Sequence, residues 1–137
     1  MIELSAAEIA RILGVDKWHL TGSSYVCNPP VLDTDYDVVM LAKNKKGRAL
    51  RKAMDNLGFC MEGSSSKYGP GSKYSPSSGK FNSWRKGRMN IILTQDKSFY
   101  QAFVGATLVA KRLNLLSKED RITLFEAILY GEYPCKP

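Results

Sequence analysis

Residues 21–39 of the chain read TGSSYVCNPPVLDTDYDVV, and this stretch decides the predicted fold. It begins with a turn of small residues. Two alternating carboxylates, Asp35 and Asp37, then lead into the apolar run that starts at Val38. In an extended strand, side chains two positions apart project from the same face of the sheet. We therefore predict a buried strand over residues 38–42, with both carboxylates at its N-terminal end and on the same face of the sheet.

The residue types in this stretch favour a site for a nucleotide and a metal ion. Neighbouring carboxylates repel each other unless a cation holds them, and Mg²⁺ prefers oxygen ligands together with substrate phosphates. Upstream, Gly22 allows the backbone to approach a ligand closely, and the amides and hydroxyls of Ser23 and Ser24 are suited to phosphate oxygens. We expect Asp35 and Asp37 to bind Mg²⁺ or Mn²⁺ and the small-residue turn to bind the nucleotide.

Length and composition favour one globular domain over residues 1–137. A chain of 137 residues is long enough to bury a core but too short for two domains of ordinary size. Hydrophobic residues make up 44% and charged residues 24%, which argues against wholesale disorder. The net charge of +7 predicts a surface that attracts phosphates, and this fits a nucleoside triphosphate and a nucleic acid equally well.

The sequence contains no clear signal for export, membrane insertion or a zinc cluster. Its first residues lack a secretory signal, and no apolar run approaches membrane-spanning length. We expect a cytoplasmic protein without a membrane partner. Cys27, Cys60 and Cys135 are odd in number and lack zinc-site spacing, so reduced thiols are favoured. The single histidine, His19, has no metal-ligand neighbours in sequence, and a structural role is favoured.

Periodicity and capping residues predict helices and strands in a mixed order. Ser5 and Glu8 predict a capping box for the first helix, which Gly14 ends. The other predicted helices span 48–57, the stretch from Asp96 or Ser98 to Leu113, and the stretch from Ser117 to Tyr130. Strands are predicted at 18–21, 38–42 and 59–62, with a hairpin of 81–84 and 89–94 around a basic turn at 85–88. The predicted core stripe of the third helix is Phe99, Phe103, Ala106, Ala110 and Leu113.

Two basic or polar stretches leave alternatives open. The cationic stretch from Lys43 to Lys52 is suited to a polyanion, although a solvated helix face is the more common explanation. Residues 63–80 predict a flexible loop rich in glycine and serine. Its lysines and tyrosines fit a lid over a nucleotide as well as they fit a passive insertion.

The chain resembles the DNA polymerase β-like nucleotidyltransferases, particularly their minimal versions. Their Gly-Ser and Asp-x-Asp signature matches Gly22-Ser23 and, after eleven further residues, Asp35-Tyr36-Asp37-Val38. The distal part is similar to small nucleotidyltransferases often encoded by tailed bacteriophages, in the stretches 81–87, 90–92 and 99–132. A phage-encoded chain would work in the host cytoplasm. These stretches cover most of the chain, and the loop at 63–80 falls outside them.

The resemblance implies an α+β fold, a mixed β-sheet flanked by helices with two helices at the C-terminal end. It also implies that the Gly22-Ser23 turn contacts a nucleoside triphosphate and that Asp35 and Asp37 bind two divalent cations. In the family, a third carboxylate on a later strand completes the site and activates the acceptor. Arg85, Lys86 or Arg88 is expected to neutralise charge on the phosphates.

At the third acidic position the chain has Asn90 instead of a carboxylate. An amide can lend a carbonyl oxygen to a metal, but it carries no charge and cannot act as a base. We expect the catalytic metal to be weakened most by this change. Asp33 would share the face of Asp35 if the strand began early, but a turn residue after Pro29-Pro30 is the favoured interpretation.

Three functions remain open from the sequence. The first is transfer of a nucleoside monophosphate from a triphosphate to a hydroxyl of an unknown acceptor, either RNA or protein. The second is a nucleotide-binding or inhibitory protein of the same fold that has lost turnover, for which Asn90 is the main evidence. The third is a nucleic-acid-binding module, which ranks lowest because paired carboxylates repel a polyanion in the absence of metal.

Overall fold

The computed structural model describes residues 4–15, 17–28, 36–43, 46–62 and 81–130. These residues form an α+β fold, a five-stranded mixed sheet flanked by helices, with two helices at the C-terminal end. The predicted fold class is confirmed at this level. In chain order the elements are α1 (Ala6–Leu13), β1 (Lys17–Thr21), α2 (Ser23–Val26), β2 (Tyr36–Leu41), α3 (Gly47–Asn56), β3 (Cys60–Glu62), β4 (Asn82–Lys86), β5 (Met89–Thr94), α4 (Lys97–Leu113) and α5 (Lys118–Tyr130).

The sheet has the strand order β1-β2-β5-β4-β3. The neighbouring strands β2 and β5 run parallel, and all the other pairs are antiparallel. The register pairs Asp37 of β2 with Asn90 of β5, and Thr21 of β1 with Asp37. Asp37 and Asn90, each the second residue of its strand, therefore lie side by side at one end of the sheet.

The strands separate two apolar cores, one on each face of the sheet. On the first face, Val38, Met40 and Trp84 pack with residues of α1 and α3. On the second face, Val39 and Ile92 pack with α2, α4 and α5. Because neighbouring side chains of a strand alternate between faces, Asp37 projects to the same side as Val39, which is the side of α2 and α4.

The helix termini follow the predicted capping residues. The Ser5 side chain accepts a bond from the backbone of Glu8, whose carboxylate reaches back to the Ser5 amide, so the capping box is present. The Asp96 carboxylate caps α4 through the Phe99 amide at 3.0 Å. Ser117 accepts a long bond from the Asp120 amide at the start of α5, at 3.4 Å. Local sequence therefore sets where these helices begin.

The structure differs from the sequence prediction at three places. The turn after Gly22 winds into a four-residue helix, α2, that the sequence reading did not include. The β4–β5 turn is only Gly87-Arg88, with Gly87 at φ 60°, so Arg85 and Lys86 belong to strand β4. Leu113 is exposed because the last turn of α4 lies where the chain reverses at Asn114, beyond the apolar surface that the helix covers.

Several predicted features lie outside the described residues. They are Asp33, Asp35, Cys135 and the loop at 63–80. The described part of the stretch 43–52 places Arg48, Arg51 and Lys52 on the exposed side of α3, in agreement with a solvated helix face. In the described ranges, no helix is long and apolar enough to cross a membrane.

Candidate functional site

A row of polar residues crosses four strands at one end of the sheet. The register places Thr21, Asp37, Asn90 and Arg85 opposite one another on β1, β2, β5 and β4. Alternation along the strands directs these side chains to the face that carries α2 and α4. Asp37 is half-buried, Thr21 and Asn90 are buried, and Arg85 is half-buried. Buried and half-buried side chains therefore alternate along the row, with a carboxylate near its middle.

Gly22 brings the backbone of the turn against the Asp37 side chain. Its φ of 78° and ψ of 179° lie in a region that is essentially reserved for glycine. A Cβ at this position would lie 2.8 Å from Cγ and 2.9 Å from Cβ of Asp37, and it would overlap Oδ2. Only glycine fits, because any side chain would meet the carboxylate. The predicted phosphate turn and the predicted metal ligand are thus direct neighbours.

A chain of hydrogen bonds fixes the Asp37 carboxylate from the other side. Asn90 Nδ2 donates to Asp37 Oδ1 at 3.1 Å, and Ser83 Oγ donates to Asn90 Oδ1 at 2.7 Å. Asn90 is 2% exposed and Ser83 is 5% exposed, so water has little access to either group. Buried polar groups are costly to leave unpaired, and these two hydrogen bonds satisfy both the nitrogen and the oxygen of the Asn90 amide. Asp37, Asn90 and Ser83 therefore form one unit.

The short helix α2 is held in place by contacts from α4 and β1 to Tyr25. Lys111 of α4 donates from Nζ to the Tyr25 carbonyl at 2.8 Å, and the ammonium lies 4.3 Å from the centroid of the Tyr25 ring. His19 packs edge-on against the same ring, with its Nδ1 2.7 Å from the Leu20 carbonyl. Since a carbonyl only accepts, His19 carries its proton on Nδ1. These contacts give His19 a structural role.

The end of β1 is tied to α4 by a buried hydroxyl pair. Thr21 Oγ1 lies 2.8 Å from Thr107 Oγ1, and Thr107 also bonds to the Phe103 carbonyl at 2.9 Å. Both threonines are buried, at 2% and 0% exposure. This connection sets the position of strand β1, which ends just before Gly22. The turn is therefore held by α4 through the Thr21–Thr107 hydrogen bond and by β2 through the contact of Gly22 with Asp37.

The residues predicted for the site do not all meet at this row. Gly22, Asp37 and Asn90 do, and Ser23 and Ser24 open α2 next to it, both half-buried. Arg85 lies on the same face, opposite Asn90. Lys86 does not join them, because its Nζ donates to the Leu57 carbonyl at 2.9 Å, on the side of α3. Asp35 stays a prediction, since it lies outside the described residues.

Sequence reasoning missed Ser83, whose hydroxyl completes the hydrogen-bond chain. A signal for it was present in the hairpin. The two-residue turn at Gly87-Arg88 fixes the pairing of Arg85 with Asn90 and of Ser83 with Ile92. Residues 83 and 85 share a face, so this register places Ser83 diagonally beside Asn90. The predicted four-residue turn at 85–88 obscured that register.

The described residues offer a divalent ion one carboxylate in this row. Asp37 is the only acid among the row residues, and no group of three or more His, Cys, Asp or Glu in the described ranges is arranged to hold a metal. Mg²⁺ commonly binds through one or two carboxylates together with substrate phosphates and water. Among the described residues, the row therefore offers a single anionic ligand and no cage of protein ligands.

Comparisons of this chain with protein-family models, with curated proteins and with solved structures find no match.

Proposed function

We propose that the protein is a metal-dependent nucleotidyltransferase of the DNA polymerase β-like class. It would move a nucleoside monophosphate from a triphosphate to an acceptor hydroxyl and release pyrophosphate. The observation that carries the proposal is the contact between Gly22 and Asp37, because it brings a backbone turn suited to phosphate and a carboxylate suited to its cation into one place.

The proposed roles follow from the placement of each side chain. The turn at Gly22 and Ser23 would bind the phosphates, with Ser24 beside it, and Arg85 would neutralise their charge from β4. Asp37, together with Asp35, would hold Mg²⁺ or Mn²⁺. A bound divalent ion supplies charge neutralisation and lowers the pKa of an acceptor hydroxyl. Lys86 is left out of these roles because it is engaged with the Leu57 carbonyl.

A second candidate is a nucleotide-binding or inhibitory protein that does not turn over. One observation favours it: the residue beside Asp37 on β5 is the neutral Asn90, which cannot act as a base. Both candidates predict binding of a triphosphate, and they differ only in transfer. The acceptor under the first candidate is RNA or protein.

Labelled nucleoside triphosphates test the first candidate. The chain is incubated with each of the four bases, Mg²⁺ or Mn²⁺, and a bacterial extract, and transfer of label to RNA or protein is followed. We expect one acceptor class to be labelled and the label to disappear in the double variant Asp35→Ala with Asp37→Ala. Asp96→Asn serves as the control, because Asn can keep the cap of α4 and residue 96 follows the end of β5 opposite to Asn90. Absence of label with every base, together with intact triphosphate binding, would favour the second candidate.

A further inference from the structure

We infer that Asn90 is a positioning residue that orients the Asp37 carboxylate by donating a hydrogen bond, so that the site takes a single divalent cation together with a nucleoside triphosphate. The inference rests on the proposed function, since it concerns the metal content of the same site. It differs from what the resemblance implies, which is a pair of cations and a third ligand at position 90.

The orientation of the Asn90 amide follows from its two neighbours. An ionised carboxylate only accepts hydrogen bonds, so the Asn90 atom 3.1 Å from Asp37 Oδ1 has to be the nitrogen. The amide oxygen is then on the other side, where Ser83 Oγ donates to it at 2.7 Å. A flipped amide would bring its oxygen against the Asp37 oxygen, and two acceptors at that distance repel. Because Asn90 and Ser83 are buried, water has little access to relieve this repulsion.

The orientation removes Asn90 from the set of metal ligands. Divalent cations such as Mg²⁺ bind oxygen, and the oxygen of Asn90 is turned away from Asp37 toward Ser83. The side that faces Asp37 carries N–H groups, whose positive charge opposes a cation. On the opposite edge of the carboxylate, Oδ2 is the atom nearest to the position that a Cβ on Gly22 would occupy. The cation is therefore expected on the Gly22 side, where the triphosphate is also expected.

The number of bound ions tests the inference directly. Mn²⁺ is titrated into the full chain in the presence of a saturating non-hydrolysable nucleoside triphosphate analogue, and free Mn²⁺ is counted by electron paramagnetic resonance. We expect one Mn²⁺ for each bound analogue. Two ions for each analogue would overturn the inference while leaving the proposed function intact. Failure to bind both the analogue and Mn²⁺, with all four bases tried, would overturn the proposed function and this inference with it.

A charge-changing pair of variants separates positioning from a merely structural role. Asn90→Asp replaces the donor by a carboxylate of the same shape, and we expect the Mn²⁺ count to rise from one to two. Asn82→Asp adds the same charge at an exposed position of β4, on the opposite face of the sheet. The number of Mn²⁺ ions bound by this variant should stay at one. A count of one in both variants would contradict the claim that the Asn90 amide excludes the second ion.

Ser83→Ala tests the hydrogen-bond chain without changing charge. Removal of the Ser83 hydroxyl leaves the Asn90 oxygen unpaired and lets the amide leave Asp37, so the affinity for the Mn²⁺ analogue complex should fall about fivefold, the equivalent of one ordinary hydrogen bond. Ser98→Ala, at an exposed serine of α4, is the matched control and should bind like the wild type. Thermal unfolding verifies that both variants are folded at the assay temperature. Unchanged affinity in folded Ser83→Ala would contradict the positioning role.

Discussion

Replacement of Gly22 by alanine tests whether the turn and Asp37 are packed as closely as the structure has them. The backbone at φ 78° and ψ 179° costs a residue other than glycine about 1–3 kcal/mol. The added Cβ would also lie 2.8 Å from Asp37 Cγ, so the carboxylate has to move and its bond with Asn90 is lost. A hydrogen bond to a charged group contributes about 1.5–3 kcal/mol. We expect Gly22→Ala to lower the free energy of unfolding by about 2.5–6 kcal/mol, the sum of the two losses.

Denaturant unfolding followed by circular dichroism measures this loss. Gly47→Ala is the matched control, because a Cβ at Gly47 meets nothing within 4 Å and the residue begins helix α3. Alanine there should leave stability unchanged or raise it by up to about 1 kcal/mol. If Gly22→Ala unfolds at the same denaturant concentration as the wild type, then Gly22 and Asp37 are not in close contact. A shared phosphate and metal site at these two residues would then be contradicted.

Two further predictions concern groups around the row. Thr107→Val keeps the shape of the side chain but leaves the buried Thr21 hydroxyl unpaired. The free energy of unfolding, measured with denaturant, should therefore fall by about 1–3 kcal/mol. An unchanged free energy of unfolding would contradict the pairing of the two threonines. Burial raises the pKa of the Tyr100 hydroxyl, so the folded chain keeps this proton at pH values where the unfolded chain releases it. The stability that this proton supplies is complete below about pH 10 and is lost as the pH rises above it. Tyr100→Phe should therefore lose less stability than the wild type as the pH rises above about 10. Parallel curves of stability against pH for the two proteins would contradict this assignment.

Local sequence signals predicted much of the fold. Ser5 with Glu8, Asp96 and Ser117 each supply a side-chain oxygen to an exposed helix terminus, and this chemistry is decided within a few residues. The apolar run after Asp37 marked the buried strand β2, which packs on both faces. Such features depend little on distant parts of the chain, which is why they can be predicted from the sequence.

Features that depend on strand register could not be predicted in the same way. The turn length at Gly87-Arg88 decides whether Lys86 lies on the face of Asp37 or on the side of α3, and the four-residue turn expected at 85–88 left this undecided. The direction of the Asn90 amide depends on Asp37 and Ser83, which come from two other strands. The sequence indicated that Asn90 is neutral, but only the packing of three strands decides which of its atoms faces the carboxylate.

Calorimetric titration with a nucleoside triphosphate is the most direct test of the site. We expect saturable binding that requires Mg²⁺ and weakens at least tenfold in Asp37→Asn, with Asp96→Asn unchanged as the control. The carboxylate is the anionic ligand that the row offers, and its neutralisation removes the charge that holds the cation. Binding that is equally tight without Mg²⁺ and unaffected by Asp37→Asn would contradict the central claim.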